Sequence, residues 1–143
     1  MILETLSDDD CWRLLATRQV GRLAVSIANQ PDIFPLNYRV EDETLVVRTA
    51  PGLKLAGATL GAGVAFEVDG LDEMRHTGWS VVVHGLAEEI EALEEWMAAD
   101  RLLIEPWAEG ERDRLVRITP SKVSGRRIGP NLLRDPAIPD HAE

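Results

Sequence analysis

Pro35-Leu36-Asn37-Tyr38, Arg48-Thr49-Ala50-Pro51-Gly52-Leu53-Lys54-Leu55 and Gly78-Trp79-Ser80-Val81-Val82-Val83-His84-Gly85 are the segments whose reading decides the fold. The middle one carries the most chemistry. Leu45-Val46-Val47-Arg48-Thr49 has the β-branched, apolar character of a strand. Pro51-Gly52 breaks it before a short helix expected over residues 53–60. Arg48 closes the strand and Lys54 opens the helix, with the Thr49 hydroxyl between them. Two cations beside the first N–H groups of a helix suit a phosphate, by charge and by helix dipole. No acidic residue occurs between Leu45 and Phe66 in a chain of net charge −10, so this stretch points to a small anionic ligand.

Outward from there, the composition sets limits. A chain of 143 residues forms one domain with a core large enough to stand alone. Its net charge repels nucleic acid and anionic lipid, so neither is an expected partner. Cys11 is the only cysteine, which excludes an internal disulfide and a thiolate metal cluster. No apolar run reaches the length of a membrane span and Met1-Ile2-Leu3-Glu4 does not begin a signal peptide, so the expected compartment is the cytoplasm. The acidic runs at residues 8–10, 41–43 and 88–95 read as a helix start, a turn and a solvated helix surface.

Ser7 before Asp8-Asp9-Asp10 is an N-cap with acids in the first turn, and the apolar spacing after it predicts a helix over residues 8–18. Strands are expected at 21–27, 33–40, 44–49, 64–69 and 78–87. A turn at 29–32 contains Pro31, and Glu41-Asp42-Glu43 makes a hairpin. Pro35 argues for a strand edge or a bulge, because proline offers no N–H to a ladder. Residues 90–100 show Ile90, Leu93, Trp96 and Met97 at helical spacing. Two last strands, 114–119 and 123–128, are expected on either side of Pro120. Residues 1–129 then form the domain and 130–143, with three prolines, a C-terminal extension. Six to seven mostly antiparallel strands with three helices do not make a parallel sheet. A mainly β fold, a small barrel with peripheral helices, fits them.

In this order the motifs resemble the flavin-binding split-barrel superfamily of pyridoxamine 5′-phosphate oxidase, and most closely its short actinobacterial-type members. The likeness rests on Gly21-Arg22-Leu23-Ala24, on the three opening segments, on Pro106-Trp107-Ala108, and on Ile118-Thr119-Pro120 followed by Gly125-Arg126-Arg127-Ile128. It covers nearly all of residues 8–128. The resemblance implies a split β-barrel homodimer that holds FMN between subunits and acts as an oxidoreductase on a small molecule. By that likeness Arg48, Thr49 and Lys54, followed by Leu55, hold the phosphate. Pro35, Leu36, Asn37, Tyr38, Val47 and Ala50 lie along the ring, and Trp79, Ser80 and Val81 line the groove from the facing subunit. A deazaflavin coenzyme is the alternative, as is a non-catalytic flavin- or haem-binding sensor of the same fold. The namesake enzyme is longer and uses further basic residues near its C-terminus, without equivalent in Pro136-Ala137-Ile138-Pro139, so the likeness does not extend to its substrate.

Each of these residues also has a plainer reading. Arg48 and Lys54 serve equally as exposed charges, Trp79 as a core or interface aromatic, and His84 as a packed strand residue. Tyr38 is either a proton donor near a ring or a barrel wall. Cys11 follows three aspartates, which disfavour its thiolate, so it reads as structural. No two histidines have metal-ligand spacing. A flavin would perform the electron transfer itself, so a dedicated catalytic side chain is not required.

Overall fold

The structure of the protein, a computed structural model, describes residues 2–49, 63–92, 94, 95, 97, 98 and 114–129. The elements run β1 (Ile2–Thr5), α1 (Asp8–Leu15), β2 (Val20–Ile27), β3 (Gln30–Glu41), β4 (Thr44–Thr49), β5 (Gly63–Asp72), β6 (Thr77–Glu89) and β7 (Arg114–Gly129). All strand pairings are antiparallel, in the order β1-β7-β4-β3-β2-β5-β6, and a further β6–β7 pairing closes six of the strands on themselves. The result is a small barrel with β1 added alongside the far half of β7. This is the split-barrel architecture expected from the sequence.

The barrel is filled by alternate residues of every strand, among them Leu23, Val25, Leu36, Tyr38, Leu45, Val47, Phe66, Val68, Val81, Val83, Val116 and Ile118. Helix α1 closes one end with Cys11, Leu14 and Leu15. Its start follows the N-cap reading, since Ser7 Oγ accepts from Asp10 N at 3.2 Å. It stops at Leu15 rather than at residue 18 because Thr17 turns back, its N–H and hydroxyl both donating to the Leu14 carbonyl at 3.0 and 2.6 Å.

Two strand readings are corrected, and the edge expected at Pro35 is located. The first hairpin turn is Ala28-Asn29, both in the left-handed region, and Pro31 already pairs with Ser26 inside β3. Pro35 is an edge on one side only: it faces Arg22 of β2, while the β4 ladder begins two residues later at Asn37. The two expected C-terminal strands are one. Pro120 does not end β7 but marks a bulge, where His84 faces Lys122, Gly85 faces Pro120, and Ser121 donates its hydroxyl to the His84 carbonyl at 3.1 Å. The extra residue moves the inward positions from Val116 and Ile118 to Val123 and Gly125. Gly85 permits the close approach, because a Cβ there would meet the Thr119 carbonyl oxygen at 2.2 Å. Strand β1 was not anticipated. Of the helix expected at 90–100, Ile90 is not helical, whereas Glu94, Glu95, Met97 and Ala98 are. The helix expected at 53–60 and the extension 130–143 lie outside the described residues.

Candidate functional site

Strand alternation divides the expected site residues between two faces. On β3, Leu36 and Tyr38 enter the core, while Pro35 is exposed and Asn37 half-buried on the outside. On β4, Val47 and Thr49 are buried and Arg48 is half-buried on the outer face. On β6, Val81 is buried, Ser80 turns outward, and Trp79 packs partly buried against the rim of the core. The register sets Asn37 directly opposite Arg48. An amide and a guanidinium thus stand side by side on the outside of β3 and β4, with Pro35 further along. One border of this face is roofed by a second small core, in which Ile90 covers Val46 and Leu115. Ala50, Lys54 and Leu55 lie outside the described residues.

The inward residues have their own commitments. Tyr38 has no solvent exposure, meets the Phe66 ring edge-on at 5.1 Å between centroids, and donates its hydroxyl to the Leu15 carbonyl. Burial pushes that hydroxyl well above its ordinary pKa, with Arg18 and Arg39 pulling weakly the other way. Of the two readings, this geometry is the barrel wall. The hydroxyl bond ties β3 to α1, while the Tyr38 N–H donates to the Gln19 carbonyl at 3.0 Å and continues the β2–β3 pairing past Val20 and Asn37. Thr49 donates its hydroxyl to the Arg114 carbonyl at 3.2 Å and so braces β4 against β7. Cys11 is fully buried, and burial followed by the charges of Asp8 and Asp10 raises its thiol pKa, as a structural cysteine requires.

Asn37 and Arg48 do not meet Ser80 within one chain. In the six-stranded ring β3 stands three strands from β6 either way round, and β4 stands two strands from it across β7, so the outward side chains of Asn37 and Arg48 splay away from Ser80.

One group on the outer face escaped sequence reasoning. Arg22 on β2 reaches Glu67 Oε1 at 3.4 Å and Asp69 Oδ2 at 3.3 Å on β5. Burial, then hydrogen bonding and repulsion from Asp69, raise Glu67 to about 7 against the opposing pull of Arg22. Asp69 is the register partner of Ser80, so this carboxyl pair borders the outward β6 candidate. Its only sequence signal is the spacing of Glu67 and Asp69, which puts both on one face of a strand; Arg22 lies 45 positions from Glu67. No group of three or more metal-ligating side chains occurs among the described residues. A shallow groove of 390 Å³, lined by Asp8, Trp12, Glu43, Pro120, Ser121, Lys122 and Val123, contains none of the expected site residues.

A family model described as pyridoxamine 5′-phosphate oxidase matches residues 7–127. The chain belongs to this family. An uncharacterized protein of Mycobacterium tuberculosis is 41% identical over 128 residues, which span 86% of this chain and 84% of that one. A solved structure of a FAD binding protein from Mycobacterium smegmatis is 34% identical with a TM-score of 0.78, over 90% of this chain and all of the other. A Corynebacterium glutamicum protein described as a candidate pyridoxamine 5′-phosphate oxidase is 33% identical with a TM-score of 0.80, over 90% and 99% of the two chains. The pyridoxamine 5′-phosphate oxidase family thus includes flavin binders close to this chain. Among the described residues, no helix is long and apolar enough to cross a membrane.

Proposed function

We propose that the protein is an FMN-binding oxidoreductase whose flavin lies between two copies of the chain. One observation carries this reading: the outward candidates fall into two half-sites on separate strands of one barrel, Asn37 with Arg48 on β3 and β4, and Ser80 on β6 with β7 between β4 and β6. Two copies related by a two-fold axis bring the first half of each against the second half of its twin. The residue types fit the cofactor. Arg48 is partly withdrawn from water on a flat strand face, where a guanidinium binds a phosphate through parallel N–H bonds. Lys54 is the second cation for the phosphate, Pro35 and Asn37 give the ring an apolar edge and an amide, and Ser80 completes the wall from the partner copy. Bound flavin supplies the electron transfer; the side chains bind it, orient it and limit the access of water.

Tyr38, Val47, Leu36 and Val81 support this site from inside the barrel. The described side chains include no second phosphate seat next to Arg48, which weighs against pyridoxamine phosphate as the substrate. A second reading, FAD in the same groove, is favoured by the Mycobacterium smegmatis relative. Deazaflavin remains the third, and it would need a longer basic groove. The visible spectrum of the purified protein, followed by mass spectrometry of what denaturation releases, decides among them. Released FMN bears out the reading, FAD or a deazaflavin replaces the cofactor, and a colourless protein that takes up no added flavin overturns it.

A further inference from the structure

At the rim of the barrel Gly70 faces Trp79, Trp79 faces Arg127, and Arg127 faces Glu4, so the four form one row across β5, β6, β7 and β1. The Trp79 indole leans over Gly70, where a Cβ would come within 2.7 Å of both Trp79 Nε1 and an Arg18 terminal nitrogen. Arg18 lies across the ring with its Cζ 5.5 Å from the centroid, a cation–π contact. On the other flank Arg127 has its Nε buried with no hydrogen-bond partner among the described residues. Such an atom is rare in folded proteins and unfavourable unless something accepts its proton. Glu4, beyond Arg127 in the row, is exposed.

We propose that Arg18 and Arg127, on either flank of Trp79, form a binding site for the oxyanion of a small ligand, a carboxylate or a phosphate. Guanidinium groups are weakly hydrated and bind planar or tetrahedral oxyanions through paired N–H donors. Two of them gathered at one rim of a chain of net charge −10 give a local field that favours anions, with Glu4 as the opposing charge. Trp79 and Arg127 share the inward parity of Val81 and Gly125, so the site opens at the rim on the side opposite the outward Ser80 and stands apart from the half-sites of the flavin reading above. The oxyanion site itself does not need that reading.

The test uses the flavin-free full-length chain labelled with ¹⁵N, with the Trp79 indole signal assigned by its loss in Trp79→Phe. Sodium phosphate and sodium acetate are titrated separately at constant ionic strength, with sodium chloride as the reference salt. The Trp79 signal should move saturably with one of the two, which identifies the oxyanion. Arg127→Met should weaken that binding at least about tenfold, as expected for loss of a charge-assisted contact. Arg127→Lys, which keeps the charge but removes Nε, should also weaken it, and Glu4→Gln should tighten it. A shift that follows ionic strength alone, or equal affinity in wild type and both Arg127 variants, overturns the proposal. Because no flavin is present, this failure and failure of the flavin reading are separately visible.

Discussion

Asn37 and Tyr38 are chain neighbours with opposite fates. Tyr38 is sealed in the barrel with its hydroxyl spent on α1, while Asn37 stands half-buried outside, opposite Arg48. The same division separates Val47 from Arg48 and Val81 from Ser80. A contiguous motif in a β protein is thus two structures. Its inward half sets the spacing and stiffness of the wall, and its outward half is what a ligand can touch. Substitutions on the inside should therefore change stability first, and those on the outside should change ligand affinity with the fold intact.

The largest effect is expected at Tyr38. Truncation to alanine opens a cavity beside Phe66 and frees the Leu15 carbonyl, so Tyr38→Ala should lose about 3–5 kcal/mol in urea unfolding. Tyr38→Phe removes only the hydroxyl and should lose about 1–3 kcal/mol, the cost of a buried acceptor left without its donor. A Tyr38→Phe protein as stable as wild type would mean that the hydroxyl does not hold α1 to the barrel.

Arg48→Ala should show the opposite profile. FMN affinity, read by fluorescence quenching, should fall about ten- to a hundredfold, equivalent to the roughly 1.5–3 kcal/mol of a charge-assisted hydrogen bond. The unfolding midpoint should move far less than in Tyr38→Ala. Unchanged affinity would place the phosphate elsewhere.

The smallest effect concerns Glu67 and depends on pH. Its folded-state pKa is raised to about 7, above the roughly 4.3 of an unfolded chain. Between those values the folded state binds the extra proton, so this carboxyl's contribution is fully present at acid pH and is lost as pH rises through about 7. Glu67→Gln cannot lose a proton there. Relative to wild type it should gain stability between about pH 5 and pH 8, as thermal unfolding across that range will show. Parallel pH profiles for the two proteins would remove Glu67 as a titrating group.

Legibility in the sequence follows the same physical line. The strand Thr44–Thr49 was readable because a polar turn precedes it and Pro51-Gly52 follows it. Strand β1 was not, since four residues cannot establish a period and their partners lie at the far end of β7. Pro120 looked like a terminus because proline usually ends a strand; here the bulge with Ser121 and Gly85 absorbs it, a long-range arrangement that local sequence does not encode. The site residues on β3, β4 and β6 were legible as motifs, but their division into faces required the register. The ion cluster of Arg22, Glu67 and Asp69 was invisible for the same reason, because β2 and β5 meet only in the folded barrel.

The central claim, a flavin groove shared between two copies, is tested most directly by mixing two disabled chains. Arg48→Ala removes the phosphate contact from one half-site, and Ser80→Glu places a repelling charge on the other. Each variant alone should bind FMN weakly, since both of its grooves contain the lesion. In a mixed dimer, isolated with two different affinity tags, one groove combines the intact Arg48 of one chain with the intact Ser80 of the other. The account predicts that such a dimer binds one FMN with wild-type affinity. If the mixed species binds no better than either variant alone, the groove lies within a single chain and the account is wrong.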